Sequence, residues 1–356
     1  MGIFSRSVNQ PIFAASEPTV KAAAGAALVG NWINYSQSTL ETLALSVPTI
    51  SRARDLHTSF IGALKVRHYT RQWTGERYEK IYLPNEPWQD QPDPNVTAQF
   101  FWTSLASDLF FHGRAFAYVT SRRADDNRPA SFTWLPAADI QTPDQVPGVQ
   151  YFGYSKQIQF NGLALPTEDV IQLIASSAGV IYAGQRQIMM SVYLDQAAER
   201  YASLETVPGY LQQKGGETMS GEELGELATA WAAARKQNAI GALNDYVEFV
   251  PFDNPSEVVA DQRRFQALEL ARLCDVPAYL VSAPTEGASM TYQNAQQARQ
   301  DLYLFGTRAL IDTLQASFSM NNVLPRNRFI EFDVAEYLGL ETTQVMTEPA
   351  VTETPI

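Results

Sequence analysis

The stretch Val258–Phe318, VVADQRRFQALELARLCDVPAYLVSAPTEGASMTYQNAQQARQDLYLFGTRALIDTLQASF, decides how the rest of the chain is read. Its first part has helical spacing, with Val258, Phe265, Leu268, Ala271 and Arg272 recurring at three- and four-residue intervals. Pro277 ends that helix, because the residue before a proline is driven out of helical geometry. A loop rich in Pro, Gly, Ser and Thr follows from Ala278 to Thr291. A long helix then runs from about Tyr292 to Phe318, with Ala295, Ala298, Leu302, Phe305, Ala309 and Phe318 as its apolar stripe. Pattern alone describes two core helices joined by a surface loop.

Upstream, residues 1–37 are Ala-, Ser- and Gly-rich with weak periodicity and read as a flexible arm. Ser46-Val47-Pro48 opens a helix that carries Ile50, Ala53, His57, Phe60, Ile61 and Leu64 on one face. His57 is expected to be a core histidine rather than a ligand. Lys65–Gln72 and Arg77–Leu83, on either side of Thr74-Gly75, predict a hairpin. The segment Val96–His112 predicts a helix crowded with aromatics and capped by Gly113; Phe100, Phe101, Phe110 and Phe111 belong to the core in this reading. Alternating runs at 115–120, 131–135, 149–154, 157–160 and 170–174 predict an antiparallel β region. A helix at 187–207 is broken by Pro208-Gly209. Ser220-Gly221-Glu222-Glu223 forms a capping box that opens another helix, with Leu224, Leu227, Ala228 and Trp231 on one face. Strand-like runs flank it, Tyr210–Gln213 before and Asp245–Pro251 after, so the insert reads βαβ.

Composition narrows the function classes. Hydrophobic content of 45% and charged content of 18% fit a globular chain of 356 residues. The one cysteine, Cys274, excludes an intrachain disulfide and reads as a small buried hydrophobe. The formal charge is −12, which repels DNA on average and argues against a repressor or nuclease. No G-x-x-x-x-G-K-[ST] or G-x-S-x-G occurs, and His57, His68 and His112 lack metal-ligand spacing. Glu331 and Asp333 would share one strand face and read as solvated residues, not as an acid/base pair. No catalytic residue, cofactor or metal is expected. The longest small-apolar run, Ala22–Gly30, is too short to span a bilayer.

Several motifs occur in an order that identifies a resemblance. ELARLCDVPAYLVSAP is followed by MTYQNAQQAR, with Glu269, Leu270, Ala271, Arg272, Val276, Pro277, Tyr292, Asn294 and Gln296 as the matching positions. Pro84-Asn85 follows the hairpin, and LASDLFFHGRAFAYV (Leu105–Val119), FTWLPAADI (Phe132–Ile140) and EDVIQL (Glu168–Leu173) come after it. In this wording and order the chain resembles the portal proteins of tailed double-stranded DNA phages over roughly residues 40–340. One departure stands out: Gly184-Gln185-Arg186 lacks the Ser-Pro common before the first stem helix, which leaves that helix's start undefined.

The resemblance implies an α+β portal fold with an antiparallel β/α wing, two stem helices, a small βαβ clip insert, a tunnel loop and a long wing helix. It divides the chain into an arm (1–37), wing (38–186), stem helix (187–207), clip (208–255), second stem helix (256–276), tunnel loop (277–291), long helix with return strand (292–340) and disordered acidic tail (341–356), with little or no crown. The tunnel positions it implies are Val281, Ser282, Thr285, Glu286, Ser289 and Tyr292. The clip positions are Glu222, Glu223, Glu226, Trp231, Lys236 and Asp245. It further implies a homo-oligomeric ring, a dodecamer, at a capsid vertex of the virion, assembled in the host cytoplasm. The implied partners are the terminase large subunit, the head–tail adaptor and neck proteins, the major capsid protein and double-stranded DNA passing non-specifically through the channel; no membrane is involved. Two other readings stand beside it: an acidic, aromatic-rich hydrolase with a carboxylate pair, and a different head or neck component.

Overall fold

A computed structural model of the chain describes residues 37–145, 152–203, 209–215, 220–236, 247–251, 256–281 and 295–339. It divides into two compact units: one made of Met1–Gln185 with Leu270–Ile356, the other of Arg186–Glu269.

In the first unit, local signals set the helices. α1 spans Gln37–Ser46 and α2 spans Pro48–Gly62. Val47 is extended (φ −85°, ψ 113°), as a residue before proline must be, and Pro48 occupies the first turn, where its missing N–H costs nothing. α2 buries Ile50, Ala53, His57, Phe60 and Ile61, the face read from the sequence. Strands β1 (Val66–Trp73) and β2 (Tyr78–Leu83) form the predicted hairpin. The short helix α3 (Pro87–Asp90) buries Trp88 beside that hairpin's exit. α4 (Ala98–His112) starts at Thr97, whose hydroxyl accepts from Phe100 N at 3.2 Å, and ends at Gly113 with φ 67°. Phe101, Phe110 and Phe111 are buried as expected, but Phe100 is 48% exposed at the helix's first turn, edge-on to Trp134.

β3 (Arg114–Arg122) lies between β4 (Pro129–Leu135) and β8 (Val170–Ile174) in one antiparallel sheet. A smaller sheet joins β5 (Ile140–Gln141), β6 (Ile158–Phe160) and β7 (Leu163–Leu165). The strand predicted at 149–154 is not formed in its described part, 152–154. The short helix α5 (Val180–Ala183) follows β8.

The predicted long helix is present with an interruption. α9 (Ala295–Leu302) and α10 (Arg308–Phe318) are joined by a π-helical turn, Tyr303–Thr307. This wider turn advances the helix face by one residue, so the predicted stripe does not run through. Leu302 and Phe318 are buried, but Phe305 is 70% exposed and Ala309 is exposed; Thr307, Ile311 and Leu314 take the inward positions. β11 (Arg328–Phe332) then pairs with β1, giving the order β11-β1-β2. Glu331 accepts from Tyr82 Oη at 2.6 Å and pairs with Lys80, whereas Asp333 pairs with Arg67 and caps α11 (Val334–Leu338). These two carboxylates therefore hold cations and a helix start.

An aromatic cluster of Trp88, Phe101, Trp102, Phe132, Phe318 and Phe332 forms the centre of this unit. Phe318 lies 5.0 Å from Trp102 and 5.3 Å from Phe132, both edge-on. Nearby, Asp108 is buried, and its Oδ2 accepts from Trp134 Nε1 (2.8 Å) and Ala137 N (2.9 Å). Burial pushes its carboxyl up to about 8, against the pull of those two donors. The folded protein thus holds a proton that the unfolded chain releases near its ordinary value of 3.8. Stability is expected to fall as pH rises from about 4 to about 8, as the folded state binds the extra proton. Asp108→Asn keeps an acceptor for both donors and should flatten that slope. Urea midpoints across this range for the two proteins check it; equal slopes would contradict the assignment.

The second unit contains most of α6 (Gln185–Ser203) and α8 (Ser256–Leu273). Within it Arg263 pairs with Asp195 at 2.7 Å, and Gln266 Nε2 donates to Gln187 O at 2.9 Å. Between these helices in sequence come β9 (Gly209–Gln213), α7 (Gly221–Lys236) and β10 (Val247–Pro251). The order is β–α–β as predicted, but β9 and β10 are antiparallel, with Tyr210 opposite Val250. The capping box forms: Glu223 N donates to Ser220 Oγ (3.3 Å) and Ser220 N to Glu223 Oε2 (2.8 Å). Among the described residues, no helix is long and apolar enough to cross a membrane.

Candidate functional site

The segment that decided the sequence reading enters its loop through a built joint. α8 ends in a Schellman motif: Val276 N donates to Ala271 O (3.0 Å) and Asp275 N to Arg272 O (3.3 Å). Asp275 occupies the left-handed position, φ 52°, where glycine is usual. Val276 and Ala271 are both buried, which supplies the motif's apolar contact. Pro277 prevents the helix from resuming, and a single tight turn, Ala278–Val281, follows.

His57 of α2 locks this joint. Its Nε2 donates to Cys274 O at 2.9 Å, so its Nδ1 is left to accept from Thr307 Oγ1, also at 2.9 Å. Burial holds the imidazole below its ordinary value and so keeps it neutral, as this pattern requires. Thr307 belongs to the π turn. One residue earlier, Gly306 faces Asp275 O so closely that a Cβ there would stand 2.3 Å from it and 2.6 Å from His57 Cε1. The π turn, α2 and the end of α8 therefore meet at one point. Cys274 is part of it, buried, its thiol pushed up to about 12 by burial and by Asp275, so it is no nucleophile.

Beyond the joint, Tyr279 Oη donates to Asp301 Oδ2 at 2.9 Å, fastening the turn to α9. Gln296 on α9 in turn donates to Leu338 O of α11 at 3.3 Å. A cavity of about 210 Å³ lies between these elements, with Arg52, Asp55, Leu280, Arg299 and Tyr337 in its wall.

Of the tunnel positions, Val281 closes the Ala278–Val281 turn and is half-buried; Ser282, Thr285, Glu286, Ser289 and Tyr292 lie outside the described residues. Of the clip positions, Glu222, Glu223 and Glu226 are brought together, exposed, on the first turns of α7, with Trp231 half-buried further along. The Ser220 donors hold the Glu223 carboxyl below its ordinary value. Lys236 ends α7, while its side chain and Asp245 lie outside the described residues. Sequence reasoning missed Asp275, Gly306 and Thr307. A lone glycine inside the helical pattern LYLFGTRAL was the available signal, since such a residue costs helix stability unless something approaches it closely. Among the described residues no cluster of His, Cys, Asp and Glu could hold a metal ion.

Comparison with known proteins gives a consistent answer. The family described as phage portal protein matches residues 48–349. No curated protein matches. Among solved structures, an HK97-family phage portal protein from Corynebacterium diphtheriae matches with a TM-score of 0.63 and 20% identity, over 85% of this chain and 97% of that one. The neck of a native gene transfer agent particle, computed with C12 symmetry, matches at 0.56 and 14% identity, over 88% and 89% of the two chains. The neck of an empty particle of that kind, computed with C6 symmetry, matches at 0.56 and 15%. At these identities the structures speak for the fold, and the family match covers most of the chain. The chain belongs to the phage portal protein family.

Proposed function

We propose that copies of this chain form a ring at one capsid vertex through which double-stranded DNA is packaged and later leaves. The observation that carries this reading is the family match over residues 48–349, together with a fold that covers 97% of a solved portal chain. In this reading the second unit supplies the stem and clip, and the segment after Val281 faces the DNA. Exposed apolar side chains within that unit support assembly: Met190 (45%), Tyr193 (51%) and Phe265 (61%) are left largely uncovered among the described residues. The acidic start of α7 is the docking surface for the packaging motor and then the neck proteins. Charge reversal at Glu222 and Glu226 is expected to leave assembly intact and to lower motor binding severalfold; unchanged packaging would remove α7 from that role.

The tunnel assignment has a sharper test. Between Arg272 and Arg299 the sequence has no Lys or Arg, while Asp275 and Glu286 are acidic. A cation facing phosphate releases counterions and adds salt-dependent affinity, and a ring repeats the contact in every copy. Glu286→Lys should assemble normally but slow packaging at low salt, with partial recovery as salt screens the contacts. Glu286→Gln should be much milder, because it removes a repulsion without adding a phosphate partner. Equal packaging by wild type and both variants across a salt series would take this segment out of the DNA path.

A further inference from the structure

The β1–β2 hairpin leaves one side of its sheet open. In the order β11-β1-β2, β2 is an edge strand, and Tyr78 through Tyr82 are all exposed. Its register with β1 is regular, with no bulge and no proline, two devices that usually protect an edge. One face of the hairpin is aromatic and cationic. Trp73 stands opposite Tyr78, Arg71 opposite Lys80 and Tyr69 opposite Tyr82. Trp73 (54% exposed) and Tyr78 (68%) lie 5.0 Å apart, and Lys80 Nζ sits 4.8 Å from the Tyr69 ring centre. Lys80 pairs with Glu331, but Arg71 has no carboxylate partner among the described residues; its guanidinium lies 4.5 Å over the Phe329 ring.

The chain itself contains a segment suited to this edge. Residues 340–356, LETTQVMTEPAVTETPI, hold Glu341, Glu348 and Glu353 and no Lys or Arg. Thr342, Thr343, Val345 and Thr347 are β-branched, which favours extended pairing. The segment departs from Gly339 after α11, at the end of the sheet where Phe332 faces Val66 and where β2 terminates at Leu83, beside His68. Extended, it spans about 55 Å, against about 14 Å for the three strand spacings from β11 to a position outside β2.

We propose that residues 341–348 add as a fourth strand to the free edge of β2, running antiparallel to it. Backbone pairing supplies the affinity, and side chains on the aromatic face supply the selection. In a strand, Met346 and Glu348 share a face. The antiparallel register that turns them toward this face sets Met346 opposite Lys80, between the Tyr78 and Tyr82 rings, and Glu348 opposite Tyr78, diagonal to Lys80 and on the face that carries Arg71. Pro349 ends the ladder, since it cannot donate to it. This proposal goes beyond the portal reading and stands without it.

Hydrogen exchange on the full chain tests it. Amides of Tyr78–Leu83 should exchange at least tenfold more slowly in the full chain than in a chain ending at Gly339, and a synthetic peptide of residues 340–356 should restore the protection. Val345→Pro in the full chain removes a ladder donor without touching the described fold and should abolish the effect. Arg71→Glu should weaken peptide binding severalfold. Equal exchange in the full, shortened and Val345→Pro chains would overturn the proposal. So would equal protection by a scrambled peptide of the same composition, or protection by a single-stranded oligonucleotide where the peptide gives none.

Discussion

Replacing Phe318 by alanine is expected to lower the unfolding free energy by about 3–5 kcal/mol, the usual range for removing a buried phenylalanine. The side chain is fully buried and meets four rings from three elements: Trp88 of α3, Phe101 and Trp102 of α4, and Phe132 of β4. The cost should lie high in that range, because its neighbours are large, rigid rings that cannot collapse into the space. Denaturant unfolding followed by fluorescence should report it directly, since Trp88 and Trp102 both line the cavity. A loss below about 1 kcal/mol would mean that the cluster is not the centre of the first unit.

The second large effect is at Gly306, where two contributions oppose each other. Glycine to alanine inside a helix ordinarily gains about 1 kcal/mol. Here the new methyl would stand 2.3 Å from Asp275 O and 2.6 Å from His57 Cε1, and the nearer atom is backbone. Overpacking of this kind costs about 1–3 kcal/mol, and a carbonyl held in a Schellman motif gives way poorly. The net expectation is destabilisation of about 2 kcal/mol, with faster hydrogen exchange at Cys274–Val276. Gly225→Ala in α7 is the control: a Cβ there meets nothing within 4 Å, so it should stabilise by up to about 1 kcal/mol. If Gly306→Ala were as benign as Gly225→Ala, the joint between α2, the π turn and α8 would not be tight.

Much of the fold could be read from local chemistry. Pro48, Gly113 and the Ser220–Glu223 box each mark a helix end within a few residues, and each is found where the sequence placed it; the cap at Thr97 was not read. The hairpin was legible for the same reason. What was not legible depends on contacts distant in sequence. Phe305 belongs to a regular stripe by spacing, and only the π turn, set by Gly306 against Asp275, turns it outward. Asp275 adopts a glycine conformation because the motif around it over-determines its backbone. The antiparallel sense of β9 and β10 could not be read either, since the connection between them is long enough for both directions. For the site, motif order carried the family, which no single side chain would have done. The chemistry of the segment after Val281 rests on its lack of cations, a property of sequence rather than of geometry.

The most direct measurement of the central claim is the size and shape of the purified full chain at micromolar concentration. Mass determination in solution, followed by negative-stain imaging, should show closed rings with a central hole wide enough for a DNA duplex. A stable monomer, or a compact oligomer without a hole, would contradict the portal reading.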